Sequence, residues 1–347
     1  MPSRVDITTS IATYEATRRK GVDFLLASIA PTGEIADSGR PRVSYYRLPW
    51  ALQVSGETAA AARVLDWLAR ERLGPDGRFN AAVPWDPAAN ATTNSYPETI
   101  LAYGAWLLRR FHIANQAMTF ASQFQDPETG GVFMTREESG EHGRQLLFVT
   151  SQFGMSAAII GRVAEAIKAA EWLERVWDAQ PDLPHRLFTI WTRGAGLATE
   201  VPPGENPGHY VNDARETFQY HYNGGIAAAC LTHVYMLTGD ARWIELARKY
   251  QRFSMETTEG QFLTKQVCKS AWGSGLISLA TGDAGYEAWL IKMGDWFTAE
   301  QEVDGRWSNT KQLDPNPPLA HQIEATAEFV VHLDTLIAAL AAIASRR

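Results

Sequence analysis

The sequence predicts an all-α protein whose helices close into a ring, and three observations lead to that fold class. A Gly turn followed closely by a large apolar side chain recurs five times along the chain. Helical periodicity fills the stretches between these turns, and strand-type alternation is scarce. The first and last helical stretches are no more polar than the others, whereas an open solenoid needs polar caps. We therefore expect an (α/α)6 toroid, with six outer and six inner helices.

The five turns separate helical stretches at a regular interval. Their spacing is roughly 45 to 55 residues with one long gap, and such a period is typical of a supersecondary unit that needs its neighbours to bury its apolar face. The turns lie at 32–35, 76–79, 130–133, 259–262 and 304–307.

The first helix of each predicted pair suits the outer layer, because Arg, Lys and Glu occupy one face of it. The other face of these helices is apolar. In the stretch 162–179, apolar residues recur every three or four positions and so form one stripe along the helix. This stripe consists of Val163, Ile167, Ala170, Leu173 and Trp177. In chain order the predicted outer helices are 9–28, 57–72, 112–124, 162–179, 240–255 and 285–300.

The second helix of each pair suits the inner layer, because it is more apolar and richer in Ala and Gly. Gly239 and Gly282 each fit the position just after a helix, and the Asp that follows each of them fits the N-cap of the next helix. In chain order the predicted inner helices are 44–55, 95–110, 147–160, 215–236, 265–281 and 319–343.

The Asp-Gly-x-Phe/Trp turns at 76–79 and 304–307, with the helix-pair spacing over nearly the whole chain, resemble the toroids of terpenoid cyclases and protein prenyltransferases. The turns are similar to a degenerate form of the QW-type repeats of that superfamily. Linalool dehydratase-isomerase, uronate epimerases and several glycan lyases and hydrolases look like the same architecture. The resemblance implies the fold, whereas the activity depends on the residues of the site.

Composition bounds the partners and the location. The 347 residues carry a formal net charge of -7, which argues against nucleic acid and anionic membranes as partners. No run of about 18 apolar residues indicates a membrane span. Two cysteines and an N-terminal stretch without a secretory pattern predict a reducing, cytoplasmic location. We expect one domain over 1–347 with a small-molecule substrate, and the sequence leaves a homo-oligomer open.

The segment 180–214 is a predicted lid over the central cavity. It contains five prolines and connects two helices without a helical pattern of its own. A loop of this length inside a compact domain is usually a lid or a binding element.

In a ring of this kind the active pocket normally lies where the inner helices begin, and acid-base groups are dense there. His221 lies among tyrosines and is the candidate base, because His titrates near neutral pH. Glu98 or Glu324 is the candidate acid, because a carboxyl that faces an apolar cavity has a raised pKa.

Further candidates complete the predicted site. Tyr45 and Tyr222 are candidate orienting donors, and Cys268 lies between Lys265 and Lys269, which could lower the pKa of its thiol. Aromatic and polar side chains near the same helix starts are candidate substrate contacts, and His321 could also orient Glu324 three residues later. These predicted substrate contacts are Tyr46, Trp50, Tyr96, Phe148, Gln152, Tyr220, Asn223, Trp272 and His321.

Several cofactor motifs are missing from the sequence. It has no Asp-x-Asp-Asp run, no acidic run for diphosphate-bound magnesium, and no Gly-rich phosphate or dinucleotide loop. The two cysteines lack a zinc-type spacing with His. We therefore predict chemistry without a cofactor or a metal.

The favoured function is a lyase or isomerase that dehydrates, isomerises or cyclises a small, largely apolar metabolite by acid-base catalysis, like a dehydratase or terpenoid cyclase. The alternative is a carbohydrate-active enzyme, such as a uronate epimerase, glycan lyase or glycoside hydrolase. That alternative predicts a pocket lined by several Arg or Asn residues. The candidates are Arg47, Arg193, Arg215, Asn94 and Asn223. A second alternative, a non-catalytic binding scaffold, predicts titratable groups with ordinary pKa values.

Overall fold

The computed structural model describes residues 7–39, 44–82, 95–136, 139–308 and 317–347. Over these ranges twelve helices of 7 to 27 residues match the twelve predicted stretches. The outer helices are α1 (Ile7–Ala27), α3 (Thr58–Glu71), α5 (Phe111–Ala121), α7 (Val163–Asp178), α10 (Ala241–Met255) and α12 (Glu287–Ala299). The inner helices are α2 (Leu48–Val54), α4 (Tyr96–Leu107), α6 (Leu147–Ile160), α9 (Tyr222–Thr238), α11 (Cys268–Thr281) and α13 (Leu319–Ser345).

The inner helices form a closed cycle. Neighbours contact one another in the order α2, α4, α6, α9, α11 and α13, and α13 returns to contact α2. In the outer layer α1 packs on α13, so the first and last long helices are neighbours. The predicted (α/α)6 toroid is confirmed.

The pairing of the two layers differs from the sequence-based grouping. Outer helices pack on the inner helix that precedes them in the chain, as α5 packs on α4 and α10 on α9. The reason is a sharp reversal after the inner helices. Helices α6, α9 and α11 are followed directly by Gly161, Gly239 and Gly282. These glycines adopt the left-handed conformation, with φ of 86°, 72° and 77°. Asp240 then caps α10 by accepting from the Arg242 N–H, as predicted.

The recurring Gly turns lock neighbouring outer helices together. At four of them φ is between 84° and 90°. A Cβ at any of the four would lie 2.1–2.3 Å from a carbonyl oxygen of an outer helix. The glycines and the residues that they contact are Gly33 with Arg63, Gly77 with Gln116, Gly130 with Lys168, and Gly305 with Lys20. The fifth glycine, Gly260, lies in a 3-10 turn against Thr217 instead.

The same turns are tied to the inner layer by one repeated hydrogen bond. Backbone N–H groups just after the turns donate to side chains 18 or 19 residues further on, in inner helices. The three bonds join Phe79 N to Glu98 Oε1 at 2.8 Å, Val132 N to Thr150 Oγ1 at 2.9 Å, and Trp307 N to Thr326 Oγ1 at 3.0 Å. These three turns are therefore fixed to the inner helices α4, α6 and α13.

Residues 215–221, which the sequence predicted as the start of an inner helix, form a turn instead. The His221 ring forms hydrogen bonds with the backbone carbonyls of Glu216 and Thr217. These carbonyls are therefore not available for the backbone hydrogen bonds of a helix. The turn also accepts the Thr258 N–H at the carbonyl of Ala214.

The segment 180–214 contains short strands that the sequence pattern did not predict, because three residues are too few to show alternation. Strand β1 (Arg144–Leu146) pairs antiparallel with β3 (Ile190–Thr192), which pairs with β4 (Gly196–Leu197). Strand β2 (Arg186–Phe188) pairs antiparallel with β5 (Val211–Asp213), and the short helix α8 (Pro207–Tyr210) precedes β5. A lid role for this segment remains a prediction.

Of the described helices, α13 is long and apolar enough to cross a bilayer. In the structure 67% of its apolar window is buried in the protein. Its place in the closed inner cycle accounts for that composition.

We expect Gly77→Ala to destabilise the protein more than Gly56→Ala. Both glycines have a positive φ, of 90° and 84°, so both substitutions strain the backbone by about 1 kcal/mol. Only at Gly77 does the new Cβ meet a carbonyl, that of Gln116 at 2.1 Å, whereas nothing lies within 4 Å at Gly56. Urea unfolding of the two variants measures the difference, and equal losses would contradict the locking role of the turn.

Candidate functional site

Charged side chains from three inner-helix regions meet near the starts of the inner helices. We call Arg47, Lys265, Lys269, Glu324 and Glu328 the charged cluster. Arg47 directly precedes α2, Lys269 is in the first turn of α11, and both glutamates lie on α13. The side chains of Arg47, Lys269 and Glu328 are 5%, 9% and 7% exposed, so they are held in place by one another.

Glu328 is the centre of this cluster. Its Oε1 lies 3.3 Å from Arg47 Nη1 and accepts a hydrogen bond from Lys269 Nζ. Burial alone would raise the pKa of Glu328, but the combined attraction of Arg47 and Lys269 holds it well below its usual value. Glu328 is therefore ionised at neutral pH and keeps both cations charged.

Glu324 lies one helical turn before Glu328 and has the opposite protonation state. Its Oε1 is 3.1 Å from Arg47 Nη1, and its side chain is 13% exposed. Burial raises the pKa of Glu324 to about 8, since Arg47 offsets that effect only in part and Glu328 adds repulsion. Glu324 is therefore mostly protonated at neutral pH.

An aromatic wall borders the charged cluster and consists largely of predicted substrate contacts. Ring centroids of successive neighbours lie 5.3–6.4 Å apart in the order Tyr46, Tyr96, Phe148 and Tyr222. The wall is tied to the charges, because Arg47 Nη2 donates to the Tyr96 hydroxyl at 3.2 Å. Lys269 Nζ lies 5.3 Å from the centre of the Tyr222 ring.

A second group of rings lies deeper, beneath the charges. Trp50 and Trp272 are 5.6 Å apart, and Trp272 stacks on His332 at 4.9 Å. His332 is 2% exposed and its Nδ1 has no partner among the described residues. Burial lowers the pKa of His332 well below its usual value despite the attraction of Glu328, so the ring is neutral.

Cys268 is fully buried beside the same cluster. Burial raises the pKa of its thiol to about 12, and Glu328 acts in the same direction. Lys265 and Lys269 lower that pKa by less, so the thiolate that the sequence hypothesis required is not favoured.

Cys268, Glu328 and His332 have ligand-type atoms that all lie within 4.8 Å of one another. The chemistry of this set does not fit a cation well. Glu328 is already neutralised by Arg47 and Lys269, and the thiol remains protonated.

The predicted base His221 and the candidate donor Tyr45 bind loop backbone instead of meeting the cluster. His221 Nε2 lies 3.2 and 3.1 Å from the carbonyls of Glu216 and Thr217, so it must carry the proton, while its Nδ1 is 3.4 Å from Asn212 Nδ2. Burial lowers the pKa of His221. Tyr45 donates its hydroxyl to the Ala36 carbonyl at 2.7 Å.

Glu98 faces the Gly turn at 76–79 and receives the Phe79 N–H described above. Its second oxygen is buried without a hydrogen bond, and burial raises the pKa of Glu98 to about 8. Thr150 and Thr326 occupy the equivalent place in other repeats, which favours a positioning role. The catalytic roles predicted for His221, Glu98 and Tyr45 remain untested predictions.

Of the remaining residues that were predicted to contact the substrate, some are buried and others lie closer to the surface. Gln152 is buried and donates to Ser156 Oγ at 3.3 Å, and Asn223 donates to the Tyr220 carbonyl at 3.0 Å. His321 is exposed at the start of α13. Tyr220 stacks on Tyr222 at 5.4 Å.

Tyr220 also connects the site to the predicted lid. On its other side it stacks on His209 of α8 at 5.5 Å, and its hydroxyl accepts from Asn206 Nδ2 at 3.2 Å. The segment 180–214 therefore contacts the aromatic wall through one stack of rings. Arg193 and Arg215 pair with acidic residues elsewhere, and Asn94 lies outside the described residues.

Glu328 and His332 are site residues that sequence reasoning missed. A usable signal existed, because Glu324, Glu328 and His332 recur every four residues in an otherwise apolar helix and so share one face. Lys265 and Lys269 have the same spacing at the start of α11.

No family model and no curated protein matches this chain. Several solved structures are similar to this chain in fold. A D-mannose isomerase has a TM-score of 0.67 at 12% identity, with 100% of each chain covered. A GH76 α-mannanase of Bacteroides thetaiotaomicron has a TM-score of 0.63 at 10% identity, covering 95% of this chain and 98% of its own. A type II terpene cyclase from Scytonema has a TM-score of 0.54 at 14% identity, with 96% and 99% covered. At such identities the likeness shows the shared fold.

We expect Glu98→Gln to stabilise the protein at alkaline pH. The pKa of Glu98 is raised from 4.5 to about 8 in the fold, so between these values the folded state retains a proton that the unfolded state has lost. Stability therefore falls as pH rises through this window, by on the order of 2 kcal/mol or more. The variant keeps an acceptor for Phe79 N–H and removes the ionisation.

Thermal unfolding of wild type and Glu98→Gln between pH 5 and 9 measures this effect. The exposed Glu256→Gln serves as the matched control, with an unchanged pH profile. Identical pH profiles for wild type and Glu98→Gln would contradict the assignment. A folded Glu98→Gln protein without activity would instead favour the predicted catalytic role.

Proposed function

We propose that this protein is an enzyme that transfers protons on a carbohydrate bound at the starts of the inner helices, with aldose–ketose isomerisation or epimerisation as the reaction class. The observation that carries the proposal is the pair Glu324 and Glu328. The two carboxyl groups lie one turn apart, hold opposite protonation states, and are both contacted by Arg47. Groups perturbed in opposite directions within one site are typical of acid-base chemistry.

The charges favour a carbohydrate over the apolar metabolite that the sequence hypothesis preferred. An apolar ligand against Arg47, Lys269 and Glu324 would remove water from these groups and offer no hydrogen bonds in return. Sugar hydroxyls can donate to the carboxylates and accept from the cations, and the neighbouring aromatic wall can contact the C–H groups of a sugar. The fold shared with a D-mannose isomerase and GH76 mannanases agrees with this alternative.

The chemistry assigned to each group follows from its charge. Moving a proton between carbons next to a sugar carbonyl creates an enediolate, whose oxygen becomes negative. Arg47 and Lys269 are fixed cations that stabilise such an oxygen without rearrangement. Glu324 has a pKa of about 8, so its ionised form is accessible near neutral pH. This carboxylate takes the proton from one carbon and returns it to the neighbouring carbon. Glu328 stays ionised and holds the two cations in place.

Glycoside hydrolysis fits the cluster less well. It uses two carboxyl groups on opposite sides of the scissile bond, about 5 to 9.5 Å apart. Glu324 and Glu328 instead lie on one face of α13, and Glu328 is already paired with two cations. A mannanase of Salegentibacter is inactive when two consecutive aspartates are replaced. At the described starts of the inner helices in this chain, no two acidic residues are consecutive.

A purely binding role is also less well supported. It predicts titratable groups with ordinary pKa values, whereas burial and neighbouring charges move the pKa values of Glu324 and Glu328 in opposite directions.

We expect Glu324→Gln to lower kcat/KM by about 10²- to 10⁴-fold, because the amide cannot exchange the proton. Incubation with aldoses and uronates in deuterated water, followed by ¹H NMR, reports exchange of the hydrogen at C2 by an aldose–ketose isomerase or a C2 epimerase that acts through the enediolate. For wild type we expect kcat/KM to rise as pH rises toward about 8 and to level off above it, because the ionised form of Glu324 accepts the proton from carbon.

The exposed Glu256→Gln is the control and should retain wild-type exchange. A Glu324→Gln variant with full activity, or the absence of exchange with every sugar, would reject the proposed reaction. Release of reducing ends from mannan oligosaccharides without exchange at C2 would favour hydrolysis.

A further inference from the structure

The charged cluster is positive, although the chain as a whole has a formal net charge of -7. Arg47, Lys265 and Lys269 provide three cations, whereas at neutral pH Glu328 is the ionised carboxylate and Glu324 is mostly protonated. The neutral ring of His332 adds no charge. The positive ends of the inner-helix dipoles point toward the same region.

Two of the three cations form ion pairs with Glu328, whereas the third, Lys265, does not. Arg47 and Lys269 both form ion pairs with that carboxylate. Lys265 lies one helical turn before Lys269, and its side chain is half-buried. Among the residues that the structure describes, Lys265 has no side-chain hydrogen bond and no acidic group within 4.0 Å, although Glu328 and Glu324 act on it from further away.

The ammonium group of Lys265 lacks a close counter-charge, which a ligand can supply. Burial lowers the pKa of Lys265, and the nearby Lys269 repels its charge. A half-buried cation without a close counter-charge is unfavourable, and an anionic oxygen at the site would remove that cost. A neutral sugar would leave the excess positive charge in place.

We propose that the carbohydrate substrate is anionic, and that Lys265 binds its carboxylate or phosphate group with Lys269 adjacent. This inference rests on the proposed function, because it names the substrate class of that same site. The sugar ring then lies toward Tyr222, whose ring is next to Lys269, and Arg47 and Glu324 face the reacting carbons. Carboxylate and phosphate share the anionic oxygens that an ammonium recognises, and the experiment separates them.

The test measures how neutral sugars and their anionic counterparts bind to four proteins. These are wild type, Lys265→Met, Lys265→Arg and Lys249→Met. Lys249 is exposed on the outer helix α10 and provides the control. The probes are glucose, mannose and galactose, the uronate of each, the 6-phosphate of each, and inorganic phosphate. Binding is measured by titration calorimetry and by the change in intrinsic tryptophan fluorescence, and turnover by exchange at C2.

For wild type we expect at least one anionic sugar to bind about 10- to 100-fold more tightly than its neutral counterpart, which is the effect of one hydrogen bond to a charged group. Lys265→Met should remove this preference, Lys265→Arg should retain most of it, and Lys249→Met should match wild type. Preference for the uronate identifies a carboxylate, and preference for the 6-phosphate identifies a phosphate.

Equal binding of neutral and anionic sugars by wild type, or a preference that survives Lys265→Met, would overturn the inference. If neutral and anionic sugars bind equally and both are exchanged at C2, the proposed function stands while the inference fails. Lys265-dependent binding of an anionic sugar without exchange supports the inference and rejects the proposed reaction. Binding of inorganic phosphate but of no sugar would overturn the inference as well.

Discussion

The carboxylate of Glu328 joins three inner helices at one point, and both the ring and the site depend on it. It lies on α13 and contacts Arg47 before α2 and Lys269 on α11, which are the two neighbours of α13 in the inner cycle. Removing one partner from a buried ion pair typically costs about 3 to 5 kcal/mol, because a buried charge is left alone. The seam of the ring is therefore also the place where charges are concentrated and held in fixed positions.

The repeat explains how the other helix starts reach the same region. Four of the five Gly turns fit against an outer helix through a position that tolerates no side chain, and three of them have a following N–H that is held by an inner helix. In this frame Glu98, Thr150 and Thr326 occupy one repeated place. Comparison between repeats thus separates a carboxylate that supports the frame from Glu324 and Glu328, which belong to the cluster.

Much of the fold could be predicted from the sequence, because glycine turns and helical periodicity are local signals. The twelve helices and their layers follow from them, and so does the meeting of Tyr46, Tyr96, Tyr222, Trp272 and Glu324 near the inner-helix starts. The direction of each side chain was not predictable. His221 and Tyr45 stand at the right ends of helices, yet they bind backbone groups of loops that periodicity does not describe. Glu328 and His332 were missed because they lie two and three turns inside α13, beyond the helix start.

Closure of the inner cycle between α2 and α13 has a consequence for the order of assembly. Arg47 directly precedes α2, whereas both carboxyl groups that contact it belong to α13, the last inner helix in chain order. These groups meet only when two segments far apart in the sequence come together, and such contacts carry the cost of closing a long loop. A folding intermediate in which α13 has not yet docked would therefore hold the cations of the cluster without their carboxylates.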